Sequence, residues 1–198
     1  MLQYIIKGKD RATVELISQQ ALESSCKWIR LDVGLLPDSD IENCVKNLHQ
    51  LCQKHECILT IEENVQDVKN WNVDGSHLGL DSSSKPTIAR KELGEEPILG
   101  MTIKEASDVP FLPKSAIDYV EIDGGNQEEC RKIVAQMKTT GLEEPVVARL
   151  GVITQVRQVM ETGVNGIALE HSVDNLEKLH EIIDELEKIA QSRLAGLD

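Results

Sequence analysis

Eight short runs rich in Ile, Val and Leu alternate with amphipathic stretches along this 198-residue chain, and this alternation limits the fold more than any other feature. Polar residues, Gly or Pro bound each run, which is typical of buried parallel strands. The predicted strands are Leu2–Ile6, Lys27–Val33, Cys57–Ile61, Gly75–Leu78, Ile98–Met101, Tyr119–Ile122, Val146–Arg149 and Gly166–Leu169. Strict alternation of strands and helices predicts an α/β protein with a parallel sheet.

Eight such units predict closure of the sheet into a single (β/α)8 TIM barrel that spans residues 1–198 as one domain. The main competing fold is an open doubly wound sheet. That fold would need fewer strands, or a glycine-rich GxGxxG turn after the first strand. The first turn here reads Lys7-Gly8-Lys9-Asp10 and contains one glycine, so the barrel is favoured.

Three helices can be placed from sequence patterns. The first covers about Arg11–Ser24. The second is predicted to begin at Ser39, because Glu42 three residues later completes a capping-box signature. The last is predicted as one continuous helix, because its apolar residues form a single stripe with Glu, Lys and Asp on the other face. That stripe consists of Val173, Leu176, Leu179, Ile183, Leu186 and Ile189.

Charge and composition exclude several classes of partner. The formal net charge is −13 and five residues are aromatic, which argues against nucleic-acid binding by phosphate contacts or by base stacking. No signal peptide and no apolar stretch near the roughly 20 residues of a membrane span is present, so we expect no membrane partner. Five cysteines without a CxxC pair favour reduced thiols and a cytoplasmic location.

Acidic residues accumulate where the predicted strands end, which is where barrels of this kind place their chemistry. Arg30 and Arg149 are the cations among them, with His77 and His171 nearby. Such acids could hold Mg²⁺ together with a substrate phosphate. Alternatively, they are solvated loop acids paired with arginines. The acids are Asp32, Glu62, Glu63, Asp81, Glu121, Asp123 and Glu170.

The segments after strands seven and eight are candidates for a phosphate site, since barrels of this kind often bind phosphate there. Gly151 would allow close approach of an anion to the backbone, and His171 and Ser172 follow the eighth strand. The alternatives are a simple turn glycine and a rim histidine without a role. His77, at the end of strand four, is either a catalytic group or a structural hydrogen-bonding group.

Several segments resemble one known family in the same order along the chain. Asp74-Gly75-Ser76-His77-Leu78-Gly79 is similar to the Asp-Gly-Val-His-Leu-Gly signature of the thiamine-phosphate synthase and thiazole tautomerase (TenI-like) superfamily. The strand Pro145-Val146-Val147-Ala148, followed by Gly151, resembles that family's Pro-Val-Val-Ala-Ile-Gly-Gly-Ile strand. Further matching segments are Ile98–Thr102, Ile117–Val120 and Gly163–Ala168.

The resemblance implies a barrel, a reaction that joins a pyrimidine diphosphate to a thiazole phosphate, help from Mg²⁺, and a homodimer. It assigns Glu63 and Asp81 as metal ligands. His171 aligns with a phosphate-binding serine. The family's strand-two pattern Gln-x-Arg-x-Lys is replaced by Arg30, Asp32 and Gly34. Because side chains alternate along a strand, Arg30 and Asp32 are expected on one face, and together with His77 they are the candidate catalytic residues.

The largest departure from the family follows strand six. The family's mobile loop carries Phe, Thr and Lys, whereas Asp123-Gly124-Gly125-Asn126 here carries none of them. A diphosphate brings roughly three negative charges, which an acidic rim repels. We therefore expect a diverged member that has lost the usual catalysis and binds a phosphorylated heterocycle at the barrel mouth. The alternative is an active synthase in which Arg30 and Arg149 supply positive charge and His171 reaches the phosphate.

Overall fold

A computed structural model describes residues 1–63 and 65–196, and its centre is a closed barrel of eight parallel strands in sequence order. The first strand pairs with both the second and the eighth, which closes the sheet. The predicted (β/α)8 barrel is confirmed, and every predicted strand is found with ends shifted by at most two residues. The strands are β1 Leu2–Lys7, β2 Trp28–Asp32, β3 Ile58–Glu62, β4 Gly75–Leu78, β5 Ile98–Ile103, β6 Tyr119–Ile122, β7 Val146–Leu150 and β8 Gly166–Glu170.

Helices cover the outside of the barrel. The connection after β5 uses a 3-10 helix, Ala106–Phe111, and a second one covers Ile153–Gln155. No described helix is long and apolar enough to cross a membrane. The α-helices are α1 Arg11–Glu23, α2 Asp38–Lys54, α3 Val68–Trp71, α4 Pro86–Leu93, α5 Gln127–Thr140, α6 Val156–Met160, α7 Val173–Glu177 and α8 Leu179–Leu194.

The capping box predicted at Ser39 is wrong, because α2 begins one residue earlier. Pro37 is the N-cap residue, with φ −60° and ψ 139°, and its side chain makes no capping hydrogen bond. The fixed φ of proline prepares the chain for a helical turn. Asp38 and Asp40 then place two negative charges at the positive end of the helix dipole. The charges of these two aspartates, and not a capping hydrogen bond from a side chain, therefore stabilise the beginning of α2.

The prediction of one continuous last helix is also wrong, because Lys178 separates α7 from α8 with φ −103° and ψ 6°. Val173, the first residue of the predicted stripe, is exposed. The buried side chain of Asn175 explains the break. It donates hydrogen bonds to the carbonyl oxygens of Gly151 and Glu170 at 2.9 and 2.8 Å, and thereby ties α7 to the ends of β7 and β8.

Two layers of buried side chains hold the barrel together. The larger layer is aliphatic and lies between the strands and the helices. A smaller cluster fills the barrel interior. Because side chains alternate between the two faces of a strand, each member of this cluster shows which residues of its own strand face inward. Its buried members are Ile5, Trp28, Tyr119, Val147 and Ala168.

The base of the barrel, where the strands begin, carries the same hydrogen-bond arrangement three times. In each case, the residue before an even-numbered strand accepts a hydrogen bond from an amide of the preceding strand through its side chain, at 2.7–2.8 Å. The same residue donates its own amide to the carbonyl of that strand residue, at 2.7–3.0 Å. We call these pairs the base clamps. They join Asp74 to Leu59, Asp118 to Leu99 and Asn165 to Val146.

Candidate functional site at the barrel mouth

A buried ion pair occupies the barrel interior below the mouth. Arg30 on β2 and Glu121 on β6 are both 0% exposed, with 2.7 Å between Arg30 Nη1 and Glu121 Oε2 and 3.1 Å between Arg30 Nη2 and Glu121 Oε1. The hydroxyl of Thr102 donates to Glu121 Oε1 at 3.2 Å. Arg30, predicted to be catalytic, is therefore sealed from solvent. Glu121, predicted to lie on the acidic rim, is likewise inside, because its inward-facing position on β6 points at the arginine.

His77 lies beside this pair and is held on both ring nitrogens. Nδ1 is 2.7 Å from the hydroxyl of Tyr119, and Nε2 is 2.7 Å from the hydroxyl of Thr102. Burial lowers the pKa of His77 well below its usual value, and the charge of Arg30 adds to this effect. The imidazole is therefore neutral at pH 7. This environment matches the structural hydrogen-bonding alternative, and Gly100 contributes to it because a Cβ there would overlap the Tyr119 ring.

Asp32, the second predicted catalytic group, lies at the top of β2 and pairs with a lysine that the sequence analysis missed. The distance from Lys7 Nζ to Asp32 Oδ2 is 2.5 Å, and the Asp32 side chain is 18% exposed. The other carboxylate oxygen accepts the amide of Gly34 at 2.9 Å. The hydrogen bond to Asp32 raises the pKa of Lys7. Lys7 could have been found, because it lies two residues after the inward-facing Ile5.

Arg149 reaches the mouth from β7 and pairs mainly with Glu170 on β8. Both Nε and Nη2 of the guanidinium lie 2.7 Å from Glu170 Oε1. Its Nη1 is 4.0 Å from Glu121 Oε1, so Arg149 also touches the upper edge of the buried pair. Inward-facing residues of β7, β8, β1 and β2 therefore alternate in charge. We call Arg149, Glu170, Lys7 and Asp32 the charged ring.

Glu62 lies next to the charged ring, at the end of β3. Its side chain is 15% exposed, and Oε2 is 3.9 Å from Arg30 Nε. That oxygen is buried without a hydrogen-bond donor. Burial raises the pKa of Glu62, while the charge of Arg30 acts in the opposite direction. The mouth therefore holds more negative than positive groups even after its ion pairs form.

Glu63 and Asp81, the predicted metal ligands, lie in exposed loops after β3 and β4. Glu63 joins these loops, because Oε1 accepts the amide of Gly79 at 2.6 Å and Oε2 accepts the hydroxyl of Ser82 at 2.7 Å. Within residues 1–63 and 65–196, no group of three or more His, Cys, Asp or Glu side chains is arranged to hold a metal ion. A Mg²⁺ ion that bound Glu63 would have to replace these loop hydrogen bonds, and no step proposed below passes through the ion.

Asn175 connects two of the predicted phosphate-binding residues, Gly151 and Ser172. The oxygen of Gly151 accepts from the Asn175 side chain, and the hydroxyl of Ser172 accepts the Asn175 amide at 3.1 Å. His171 Nδ1 is 2.9 Å from the hydroxyl of Tyr4, and burial lowers the pKa of the imidazole. A Cβ at Gly151 would meet only Glu170 Oε2, at 3.9 Å, so the position does not require glycine. Sequence reasoning missed Asn175, although its position three residues after Ser172 could have indicated it. A serine that caps a helix accepts a hydrogen bond from the amide two or three residues later.

Comparison with known proteins gives one consistent family. A family model described as thiamine monophosphate synthase matches residues 2–173. A thiamine-phosphate synthase from Bacteroides thetaiotaomicron is 34% identical over 186 residues, which cover 87% of this chain and 88% of the relative. A thiamine-phosphate synthase from Flavobacterium psychrophilum is 29% identical and covers 94% of this chain and 97% of the relative.

Solved structures support the fold. The thiamine phosphate pyrophosphorylase from Pyrococcus furiosus matches with a TM-score of 0.78 at 24% identity, over 96% of this chain and 95% of that chain. An orotidine 5'-phosphate decarboxylase from Pyrococcus horikoshii matches with a TM-score of 0.69 at 10% identity, over 96% of this chain and 99% of that chain. Likeness at this level of identity concerns the barrel and not its chemistry.

Proposed function

The chain belongs to the thiamine monophosphate synthase family, and from this premise we propose a synthase-like protein of thiamine metabolism that has lost the ordinary coupling reaction and binds a small phosphorylated heterocycle at its mouth. One observation carries the proposal. Lys7 and Arg149 at the mouth, and Arg30 in the interior below it, are each ion-paired with a carboxylate of a neighbouring or facing strand.

This pairing disfavours the coupling reaction for electrostatic reasons. A diphosphate leaving group needs cations that are free to stabilise developing negative charge. Arg30 is committed to Glu121 and has no exposed surface, and His77 beside it is equally buried. The short connection from Asp123 to α5 also brings no lysine over the mouth, so water can enter and weaken the electrostatic stabilisation that remains.

Binding of a phosphorylated ligand without the coupling reaction does not require buried cations to become free. Lys7 and Arg149 have side chains that are 53% and 28% exposed, so a single phosphate can contact either one without displacing buried groups. His171 is half-buried at the end of β8 and neutral at pH 7, so it can offer a hydrogen bond without adding charge. These three groups, with Ser172 and the backbone at Gly151, are the proposed ligand contacts.

The alternative function is active coupling, and the 34% identity to a curated thiamine-phosphate synthase favours it. In that case Arg30 and Arg149 would supply positive charge after Glu121 and Glu170 had moved. Glu63 and Asp81 would contribute to Mg²⁺ binding only if the loop hydrogen bonds of Glu63 were exchanged.

One experiment separates the two functions. The purified protein is incubated with the pyrimidine diphosphate and the thiazole phosphate, with and without Mg²⁺, and thiamine phosphate is measured by chromatography. The Bacteroides thetaiotaomicron relative is the positive control. We expect no product from this protein, together with a rise in its melting temperature when a phosphorylated heterocycle is added. Turnover that the Glu63→Ala variant abolishes would overturn the proposal, and light scattering on the same sample tests the predicted homodimer.

A further inference from the structure

The charged ring offers alternating charges to anything that enters the mouth. Going around the barrel, Arg149, Glu170, Lys7 and Asp32 lie on consecutive strands and all face inward. Arg149 contacts Glu170 at 2.7 Å, and Lys7 contacts Asp32 at 2.5 Å. The ring is therefore two neighbouring ion pairs with no net charge.

Both pairs are accessible enough to exchange partners. The side-chain exposures are 53% for Lys7 and 18% for Asp32, and 28% for Arg149 and 45% for Glu170. Ion pairs that water can reach contribute little to stability, so a ligand charge can replace one member at low cost. The Arg30–Glu121 pair below differs in this respect, because neither partner is exposed.

We propose that the charged ring selects ligands that carry one phosphate group and one cationic group, and rejects polyanions. The inference rests on the ligand-binding role proposed above and names the class of ligand. It assigns Lys7 and Glu170, on neighbouring strands, as the residues that determine this specificity.

Partner exchange gives the physical reason. When the phosphate of a zwitterion pairs with Lys7, the cationic group of the same ligand pairs with the carboxylate of Asp32, while Glu170 keeps its pair with Arg149. Every charge then keeps an opposite neighbour. When a diphosphate pairs with Lys7, Asp32 is left without a partner and Glu62 lies beside it. The repulsion between the ligand and these carboxylates makes the polyanion the poorer ligand.

Calorimetric titration at one fixed ionic strength tests the selectivity. The zwitterionic probes are thiamine phosphate, whose thiazolium ring is cationic, and phosphocholine. The anionic probes are inorganic diphosphate and the thiazole phosphate, whose ring is neutral. We expect the zwitterions to bind at least 10-fold more tightly than the anions. Equal or tighter binding of diphosphate would overturn the inference, as would failure of both zwitterions to bind.

Two variants and a control assign the effect to the ring. Lys7→Met should weaken binding of both zwitterions at least 10-fold. Glu170→Gln removes the carboxylate that pairs with Arg149. Diphosphate should therefore bind this variant more tightly than it binds the unaltered protein, and the difference in affinity between the zwitterions and diphosphate should be smaller. Lys9→Met changes a neighbouring exposed lysine and should leave all affinities unchanged.

These readouts are independent of the coupling assay. If thiamine phosphate is produced while the selectivity and both variant effects hold, the proposed loss of catalysis fails and the inference about the ring stands. If no product forms and the Lys7→Met variant binds zwitterions normally, the inference fails alone. Circular dichroism of each variant verifies that the fold is retained.

Discussion

Replacing Glu121 by glutamine should lower the free energy of unfolding by about 3 kcal/mol, because the change leaves the guanidinium of Arg30 buried without its charge partner. Both side chains are 0% exposed, and two atom pairs lie within 3.1 Å. Removal of one partner from such a pair typically costs about 3–5 kcal/mol. We expect the lower end of this range, since Glu62 Oε2 lies 3.9 Å from Arg30 Nε and partly compensates the charge.

A double-mutant cycle isolates the interaction. Arg30→Met removes the cation and keeps most of the apolar stem, so the double variant with Glu121→Gln buries no charge at this position. Buried ion pairs replaced by uncharged groups of similar volume are often as stable as the original. The double variant should therefore recover at least about 2 kcal/mol relative to Glu121→Gln alone. Glu170→Gln is the matched control, and it should cost less than about 1 kcal/mol because its pair with Arg149 is accessible to water.

Urea unfolding followed by tryptophan fluorescence measures all of these variants, since Trp28 lies in the barrel interior and Trp71 in α3. Linear extrapolation gives the free energy of unfolding in water, and a constant slope verifies that the same unfolding transition is compared. A cost below about 1 kcal/mol for Glu121→Gln, or a double variant as unstable as that single variant, would refute the reasoning.

Two further predictions concern the base clamps and the buried histidine. Asp74→Ala should lower the free energy of unfolding by about 1–3 kcal/mol, because the amide of Leu59 loses its acceptor; an unchanged urea midpoint would contradict this. Burial holds the pKa of His77 below its unfolded value, so the unfolded chain binds the additional proton and stability falls as the pH decreases below about 6.5. The slope, up to about 1.4 kcal/mol per pH unit, should be smaller in His77→Gln, and equal slopes would contradict the prediction.

The strands were predictable because their signal is local. Each is a short apolar run, and eight such runs with helical segments between them have few alternative folds. The helix ends were less predictable, since tertiary contacts decide them. Lys178 separates α7 from α8, and Asn175 fixes α7 to the ends of β7 and β8 through contacts that no local pattern reports. Pro37 is the N-cap residue of α2, although Ser39 and Glu42 fit the capping-box pattern.

The candidate site was predictable as a location and not as a set of contacts. Alternation along β2 correctly grouped Arg30 and Asp32 on one face. Their partners depend on strand pairing around the whole barrel, which joins Arg30 to Glu121 across 91 positions of sequence and Asp32 to Lys7 on the neighbouring strand. The sequence predicts acidic and basic residues at the same end of the barrel. Which of these residues form a buried structural pair and which a ligand can reach depends on the exposure of their side chains, and the sequence does not give that exposure.

The base clamps have a consequence for how such a chain can evolve. They tie neighbouring strands together with short side chains at the end of the barrel opposite the mouth, so much of what specifies strand order lies far from the residues that meet a ligand. Substitutions at the mouth can then accumulate without loss of the architecture. A lineage can thus exchange one chemistry for another, or abandon it, while its scaffold is inherited intact.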